Sequence, residues 1–442
     1  MFKPVSRFHV LIGLTLICLS SLPCFADSQV RIVRLSDVQG DVQIDRRTGQ
    51  GFEKAFLNLP ITQGMKIRTG SSGRAELEFE DSSSLRLTPG TLLEIAQLSL
   101  RDSGAKISEV HLQEGTAYVN FLGSKDDELT VTFVREQVSL NRAAHLRIDV
   151  GDTDAEVAVF KGEATLEGPS GTAQIESKHT AAIDLLDNDR QKVAKDIEEE
   201  PFDSWDKQQN QYDEAYAAKA QSNYSPYAYG TSDLNYYGNF FNAPGYGTLW
   251  QPFFIGAGWD PFMNGAWAFN PGFGYGWVSG YPWGWTPYHY GSWAYLPAYG
   301  WAWQPGGTWM GYNTLPVVVN APSGYSAPRS PMLPGQRIIL SNRGPMPTSP
   351  GRSMSRIEIP NNSAGLGIPR GSVKNLGQLS QTVQQRGFAT TRLSTPAIAA
   401  PGWRGGYGAA SARAGTFSGG SSAMSAPSSH SSGGHVSAPS HH

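Results

Sequence analysis

Residues 74–95 read RAELEFEDSSSLRLTPGTLLEI, and the alternation within them decides the fold of the first half of the chain. Ala75, Leu77 and Phe79 point one way, Leu85 and Leu87 repeat the spacing, and Leu93 and Ile95 take it up again. Successive side chains of a strand face opposite sides of its sheet, so an apolar period of two with polar residues between marks half-buried strands. Asp81 to Ser84 and the Pro89, Gly90 pair supply turns between them. The same texture extends outward to Val110 and Leu112, Ala117 to Phe121, Val131 and Phe133, Leu146 to Val150, Val157 and Val159, and Ala164 and Leu166. Residues 27–187 are expected to form about a dozen short strands and no helix, as a sandwich, roll or solenoid whose apolar face meets a second sheet.

Val38, Gly40 and Val42, then Gly64, Met65, Ile67, Arg68, Thr69 and Gly70, then Gly73, Arg74, Ala75, Leu77, Phe79 and Asp81, and later Leu112, Gly115, Val157, Val159 and Gly162, resemble the FecR periplasmic domain family. The resemblance covers most of residues 30 to 170. Ser82 and Ser83 stand where that family usually has a glycine after the aspartate, and Ala143 and Ala144 precede the strand at Leu146 where a glycine is common. The best-known members are membrane-spanning signal transducers whose cytoplasmic segment regulates a sigma factor, while the FecR region senses a transporter outside. No such cytoplasmic segment precedes the β region here, so the resemblance implies an extracytoplasmic module that binds a protein or ligand.

The chain opens with Lys3 and Arg7, an apolar stretch from Val10 to Leu22, and a small-residue cleavage pattern at Cys24, Phe25 and Ala26. That reads as a secretory signal peptide over residues 1–26. Its apolar run falls short of the roughly 20 residues of a membrane span. The mature protein is therefore expected to be periplasmic or secreted and not membrane-spanning. Pro23 and Ser21 argue against lipid attachment at Cys24. Both cysteines, Cys18 and Cys24, lie in the segment to be removed, which excludes disulfides, thiol catalysis and cysteine metal sites together. Residues 321–442 carry ten arginines and one lysine against the single acid Glu358, so the body is acidic and the tail basic. Export disfavours a nucleic-acid partner.

Residues 188–222 lose glycine and gain charge, with Glu198, Glu199 and Glu200 ahead of Pro201 and an N-cap at Asp203. A connecting helix is predicted over Ser204 to Gln221. Trp205, Tyr212 and Tyr216 fall at i, i+7 and i+11, an aromatic stripe that docks the helix on a neighbouring domain or on a partner.

Residues 223–315 hold ten of the twelve tryptophans, and between Ala220 and Pro328 the charged residues are Asp233 and Asp260 alone. One phrase occurs three times between Gly238 and Trp303. Pro261, Gly265, Trp267, Ala268, Pro271, Gly274 and Trp277 recur as Pro287, Gly291, Trp293, Ala294, Pro297, Gly300 and Trp303, and an earlier copy keeps Gly238, Phe240, Pro244, Tyr246, Gly247 and Trp250. Aromatics two apart, such as Trp267 and Phe269 or Trp301 and Trp303, share one face of a strand. Each copy is predicted to be a β-hairpin and the series a small meander. The segment resembles the uncharacterised Trp/Tyr/Gly-rich region that follows the FecR domain in many exported bacterial proteins, most specifically over Pro282 to Trp293, with Phe202, Trp205, Leu234, Tyr237 and Gly238 upstream. That region has no established activity.

Many of these rings must fill a core, but their number exceeds what one thin layer hides, and exposed apolar patches mark binding sites. Trp267, Trp277, Trp283, Trp285, His289, Trp293, Trp301 and Trp303 are the candidates to contact, or to support contact with, an envelope protein or polysaccharide. Residues 316–442 are rich in Pro, Ser, Gly and Ala and are expected to form a disordered basic tail. Its His430, His435, His441 and His442 lack acidic or thiol partners, so no metal and no cofactor is expected. In the body, His111, His145, His179 and His289 fall in different elements. Asp233 and Asp260 occupy equivalent repeat positions, which a repeat framework explains without a catalytic pair. The expected class is a non-enzymatic extracytoplasmic binding protein of the cell envelope. A periplasmic signalling adaptor acting through a partner in trans and a polysaccharide hydrolase are the other readings.

Overall fold

The computed structural model describes residues 30–124, 126–217, 229–331, 338–342 and 356–394. The signal peptide, residues 218–222 of the connector, the first residues of the aromatic segment and the four tail histidines lie outside the described residues. No helix among the described residues is long and apolar enough to cross a membrane.

Between Val33 and Ala194 the alternating segments form β1 (Val33–Gln39), β2 (Val42–Asp45), β3 (Phe52–Lys54), β4 (Pro60–Ile61), β5 (Lys66–Thr69), β6 (Arg74–Glu78), β7 (Ser84–Leu87), β8 (Leu92–Leu100), β9 (Lys106–Phe121), β10 (Glu128–Phe133), β11 (Glu136–Leu140), β12 (Ala144–Val150), β13 (Asp154–Lys161), β14 (Glu163–Gly168), β15 (Gly171–Glu176), β16 (His179–Asp184) and β17 (Arg190–Ala194). Their pairing sorts them into two sheets with one strand in common. The first runs β4-β1-β6-β7-β9-β12-β13-β16-β17. The second runs β3-β2-β5-β8-β9-β10-β11-β14-β15. β9 pairs with β8 up to Glu114 and with β12 from Gly115 onward, so the chain changes sheets at Gly115. That residue takes φ +87°, and a Cβ on it would lie 2.6 Å from the Gly90 carbonyl oxygen, so glycine alone fits the bend.

The inward positions are those the alternation marked. Leu35, Ala75, Leu77, Leu85 and Leu87 of the first sheet meet Ile44, Ile67, Leu93, Ile95 and Leu112 of the second in one continuous core. The β6–β7 turn places Ser82 at φ +65°, the left-handed conformation that a glycine takes without strain. Asp81 holds the turn by accepting from the Ser83 backbone N–H and hydroxyl at 2.9 Å each.

The two outer faces differ. On the second sheet they carry half-buried or exposed polar residues such as Gln43, Arg68 and Thr132. On the first sheet Arg34, Glu76, Arg86 and Arg147 alternate with the core residues, yet all four are buried. α1 (Asp203–Ala217) covers part of this face. Asp203 accepts from the Glu200 backbone N–H at 2.9 Å at the helix start. Trp205 and Tyr212 of the stripe are buried, Arg74 lies 5.1 Å over the Trp205 ring, and Tyr216 packs edge-on against Tyr236.

Beyond it follow α2 (Thr231–Tyr237), β18 (Gly238–Ala243), β19 (Gly247–Pro252), β20 (Asn264–Asn270), β21 (Gly274–Ser279), α3 (Thr286–His289), β22 (Tyr290–Leu296), β23 (Gly300–Trp309), β24 (Val317–Val319), β25 (Ile339–Asn342), β26 (Arg356–Pro360), α4 (Leu376–Arg386) and β27 (Phe388–Arg392). The three copies of the repeat are the hairpins β18–β19, β20–β21 and β22–β23. They do not form one meander. Trp250 of β19 pairs with Trp303 of β23, which joins the first and third hairpins in the sheet β18-β19-β23-β22-β24, while the second pairs with β25 in a separate sheet.

Residues 356–394 fall within the stretch expected to be a disordered tail, and they are folded. β26 pairs with β27, and Ile357, Ile359, Leu366, Ile368, Val373, Leu376 and Val383 join the aromatic core. Composition averaged over a long polar segment hides these apolar positions, which gain their burial from the aromatic module rather than from each other.

Candidate functional site

The repeat has a packing cause. In each hairpin an indole on the second strand lies over a glycine on the first. A Cβ on Gly238 would come within 2.4 Å of the Trp250 ring, on Gly265 within 2.4 Å of Trp277, and on Gly291 within 2.9 Å of Trp303. The cross-strand partners are Phe240 with Trp250, Trp267 with Trp277, and Trp293 with Trp303. Phe269 and Tyr275 stand 5.5 Å apart at 70°, and their equivalents Tyr295 and Trp301 have the same separation and angle. Edge-to-face pairs of this kind add about 1 kcal/mol to the burial of the rings.

The eight candidate residues are thereby placed inside. Trp267, Trp277, Trp283, Trp285, His289, Trp293, Trp301 and Trp303 are each at most 5% exposed. Trp267, Trp277, Trp283, Trp293, Trp301 and Trp303 belong to one core, with Trp283 and Trp293 5.9 Å apart. Three of these indoles donate inside it, Trp283 to the Ala364 carbonyl at 2.7 Å, Trp293 to that of Pro287 at 3.0 Å and Trp303 to that of Tyr290 at 2.8 Å. Trp285 and His289 sit together, 4.5 Å between ring centres, with Trp309 stacked on His289. As surfaces that touch a ligand directly these eight are corrected to core. The period of two names a shared face, and residues 356–394 and the neighbouring hairpins cover that face.

The rings left in solvent are others, among them Tyr246 at 39% and Tyr299 at 44% exposure. Each is the aromatic of a Pro-x-aromatic-Gly turn at a hairpin tip, a signal present in the repeat but overshadowed by its tryptophans.

The buried face of the first sheet is a charge junction between the β domain and α1, α2 and Arg370. Arg34 donates to Glu78 at 2.8 Å, to Asp233 of α2 at 2.7 Å and to the Pro282 carbonyl at 2.7 Å. Arg86 donates to Glu76 at 2.6 Å and to Asp206, Asn210 and Asp213 of α1 at 2.8, 2.7 and 2.9 Å. Arg147 pairs with Asp203, and Arg370, from the folded part of the tail, bonds Asp233 and Glu76. Burial alone would raise the Glu76 carboxyl, but the Arg86 and Arg370 guanidinium groups hold it down at about 2. A period of two does not distinguish a row of charges facing solvent from one covered by a second layer; strands with both signs on one outer face are the available signal of that layer.

The groups that the hydrolase reading needs are committed elsewhere. Asp233 is fully buried between two guanidinium groups and also accepts from the Tyr212 hydroxyl at 2.9 Å. Asp260 accepts from the Phe262 backbone N–H at 2.9 Å in a turn. Burial, and secondarily the positive charge of Arg34, lower the His289 imidazole to about 3, so it stays neutral at physiological pH. Among the described residues no group of three or more His, Cys, Asp and Glu side chains is placed to hold a metal ion.

The chain carries a FecR domain, the FecR protein family, at residues 65–165, and a region of a family of unknown function, DUF6600, at residues 231–324. The FecR match thus begins after β4 and ends in β14, and the DUF6600 match begins with α2 and includes all three hairpins. Two crystal structures of a protein assigned as an anti-sigma factor from Parabacteroides distasonis ATCC 8503 are similar to parts of the chain at 15% identity, with TM-scores of 0.27 and 0.28. The similarity covers 30% and 32% of this chain, and the chain spans 59% and 63% of the length of those structures. No curated protein matches.

Proposed function

We propose that this chain, which joins a FecR domain to a DUF6600 region, is a non-enzymatic binding protein of the cell envelope, periplasmic or secreted, in which the two modules act as one body. The observation that carries the reading is the junction at Arg34, Arg86 and Arg370. It takes up part of one outer face of the β domain in internal ion pairs and ties α1, α2 and residues 356–394 to it. The outer face of the second sheet, around Gln43, Arg68, Glu94 and Thr132, is left to meet a protein partner, and the aromatic module supplies a second surface toward an envelope partner or polysaccharide. The commitment of Asp233, Asp260 and His289 to internal contacts supports binding over turnover. The FecR match also supports an adaptor reading, in which the bound protein passes on a signal in trans.

Capture from envelope fractions by the mature chain, residues 27–442, with cross-links mapped by mass spectrometry, tests this. A stoichiometric protein cross-linked to the outer face of the second sheet is the expected result. Turnover of a bound glycan by the wild type, lost in Asp260→Asn, would replace the reading with the hydrolase.

A further inference from the structure

Two connections of the β domain meet through carboxyl groups that the charge junction does not use. Glu136 opens β11 just after the β10–β11 turn, and Asp189 ends the loop between β16 and β17. Both are buried, Glu136 at 2% and Asp189 at 0% exposure. One oxygen of each has a partner. Gln191 of β17 donates its amide to Glu136 Oε2 at 3.1 Å, and Arg135 donates to Asp189 Oδ1 at 2.6 Å. The other oxygen of each, Glu136 Oε1 and Asp189 Oδ2, is enclosed, and the described residues offer it no donor. An enclosed acceptor without a donor is costly, and here the two belong to groups close enough for the charge of Asp189 to act on Glu136.

The backbone around the pair is strained. The β10–β11 turn places Val134 at φ +49°, which a β-branched residue seldom takes, and Asn188 and Asp189 stand at +51° and +54°. β14 ends against the pair in Gly168, where a Cβ would overlap both Glu136 carboxylate oxygens. All of this brings together two acids that repel each other when both are ionised.

Two carboxylates only accept, whereas a carboxyl group donates to a carboxylate, so one proton supplies the bond that both enclosed oxygens lack. We propose that Glu136 and Asp189 share a single proton, Glu136 Oε1–H donating to Asp189 Oδ2, and that this bond latches the β16–β17 loop onto the β10–β11 turn until rising pH removes it. The charged groups acting on Glu136 are Asp189 and Arg135, while β14 and β17 face it with the uncharged Gly168 and Gln191. Burial, and after it the charge of Asp189, raise the Glu136 carboxyl to about 6 against the opposing pull of Gln191 and Arg135. A raised value in the closed state means that closure is favoured most at low pH, and that this contribution is lost as pH rises through 6. The two latched segments carry Val134 and Leu186, at 54% and 76% the most exposed large apolar side chains of the β domain among the described residues, so the latch also fixes their spacing.

Hydrogen exchange read by mass spectrometry over residues 185–191 of the mature chain tests this, corrected for the intrinsic effect of pH on exchange and referred to peptides from β12. Protection of the loop should fall about eightfold between pH 5 and pH 7.5, the ratio that follows when a carboxyl titrating near 6 in the closed latch returns to its ordinary range in the open one. Glu136→Gln, whose amide donates to Asp189 at any pH, should keep the high protection and lose the pH dependence. In the wild type labelled with carbon-13 at glutamate carboxyls, one signal should titrate near 6 and be absent from Glu136→Gln. Loop protection independent of pH in the wild type, or the same pH dependence in Glu136→Gln, overturns the latch. A Glu136 signal that titrates in the ordinary glutamate range overturns the shared proton. Loop protection raised by calcium at pH 7.5 overturns it in favour of a bound cation.

Discussion

Arg370 and Asp233, 137 residues apart, form a two-pronged pair, Nε to Oδ1 at 2.8 Å and Nη2 to Oδ2 at 2.6 Å. The same guanidinium also bonds Glu76 of β6 at 2.5 Å, so one side chain ties a tail residue to α2 and to the FecR domain. A planar fork satisfies two carboxylates at once, which an ammonium point charge does not.

Removing the fork leaves Asp233 and Glu76 buried with less counter-charge. Arg370→Ala should destabilise the chain by about 3–5 kcal/mol, and Arg370→Lys should recover only part of that loss. Urea unfolding followed by tryptophan fluorescence reads both, and an unchanged midpoint for Arg370→Ala would show that the junction is not what holds the modules together.

Residues 356–394 should behave as part of the folded body. A chain cut after residue 394 should unfold like the full chain, whereas one cut after residue 355 should lose cooperativity and bind a hydrophobic dye, because Trp283, Tyr236 and Tyr237 lose the carbonyl acceptors of Ala364, Val373 and Ile368.

Gly265→Ala puts a methyl group 2.4 Å from the Trp277 ring. With both strands paired around it, relief requires the hairpin to open or the indole to leave its place, a cost of about 1–3 kcal/mol in thermal unfolding.

His289 should impose a pH dependence. Its imidazole titrates at about 3 when folded, far below its unfolded value, so the unfolded chain binds the extra proton first and stability falls as pH drops below about 6.5. By pH 5 the loss from this residue should be about 2 kcal/mol, and His289→Phe, which keeps the ring between Trp285 and Trp309, should remove that slope between pH 7 and pH 5.

Ser82 holds φ +65° in an ordered turn. Ser82→Gly removes that strain at the expense of a looser unfolded chain, and a net gain of about 0.5 kcal/mol is expected in chemical denaturation.

Much of this was legible in the residues. The alternation around Leu77, Leu85 and Leu93 located the inner faces of both sheets, and the FecR-like glycines include Gly115, where β9 changes sheets. The spacing of Trp205, Tyr212 and Tyr216 announced a docked helix. The repeat announced three hairpins, because a glycine must sit beneath each partner indole. What alternation could not distinguish was water from a second polar layer. Arg34, Glu76 and Arg86 point away from the core in either case, and only the approach of Asp206, Asp233 and Arg370 turns that face into an interior.

The aromatic module divides along the same line. Local sequence determined which rings share a strand face and which residues turn the chain, since both depend on backbone dihedrals and a period of two. Which faces close was decided by contacts between segments far apart in sequence: Trp250 against Trp303, Trp283 beneath Ala364, and Tyr237 beneath Ile368. Burial is a property of that assembled packing, so the tryptophans the sequence made conspicuous went inside, and Tyr246 and Tyr299, at the hairpin tips, kept much of their surface in water.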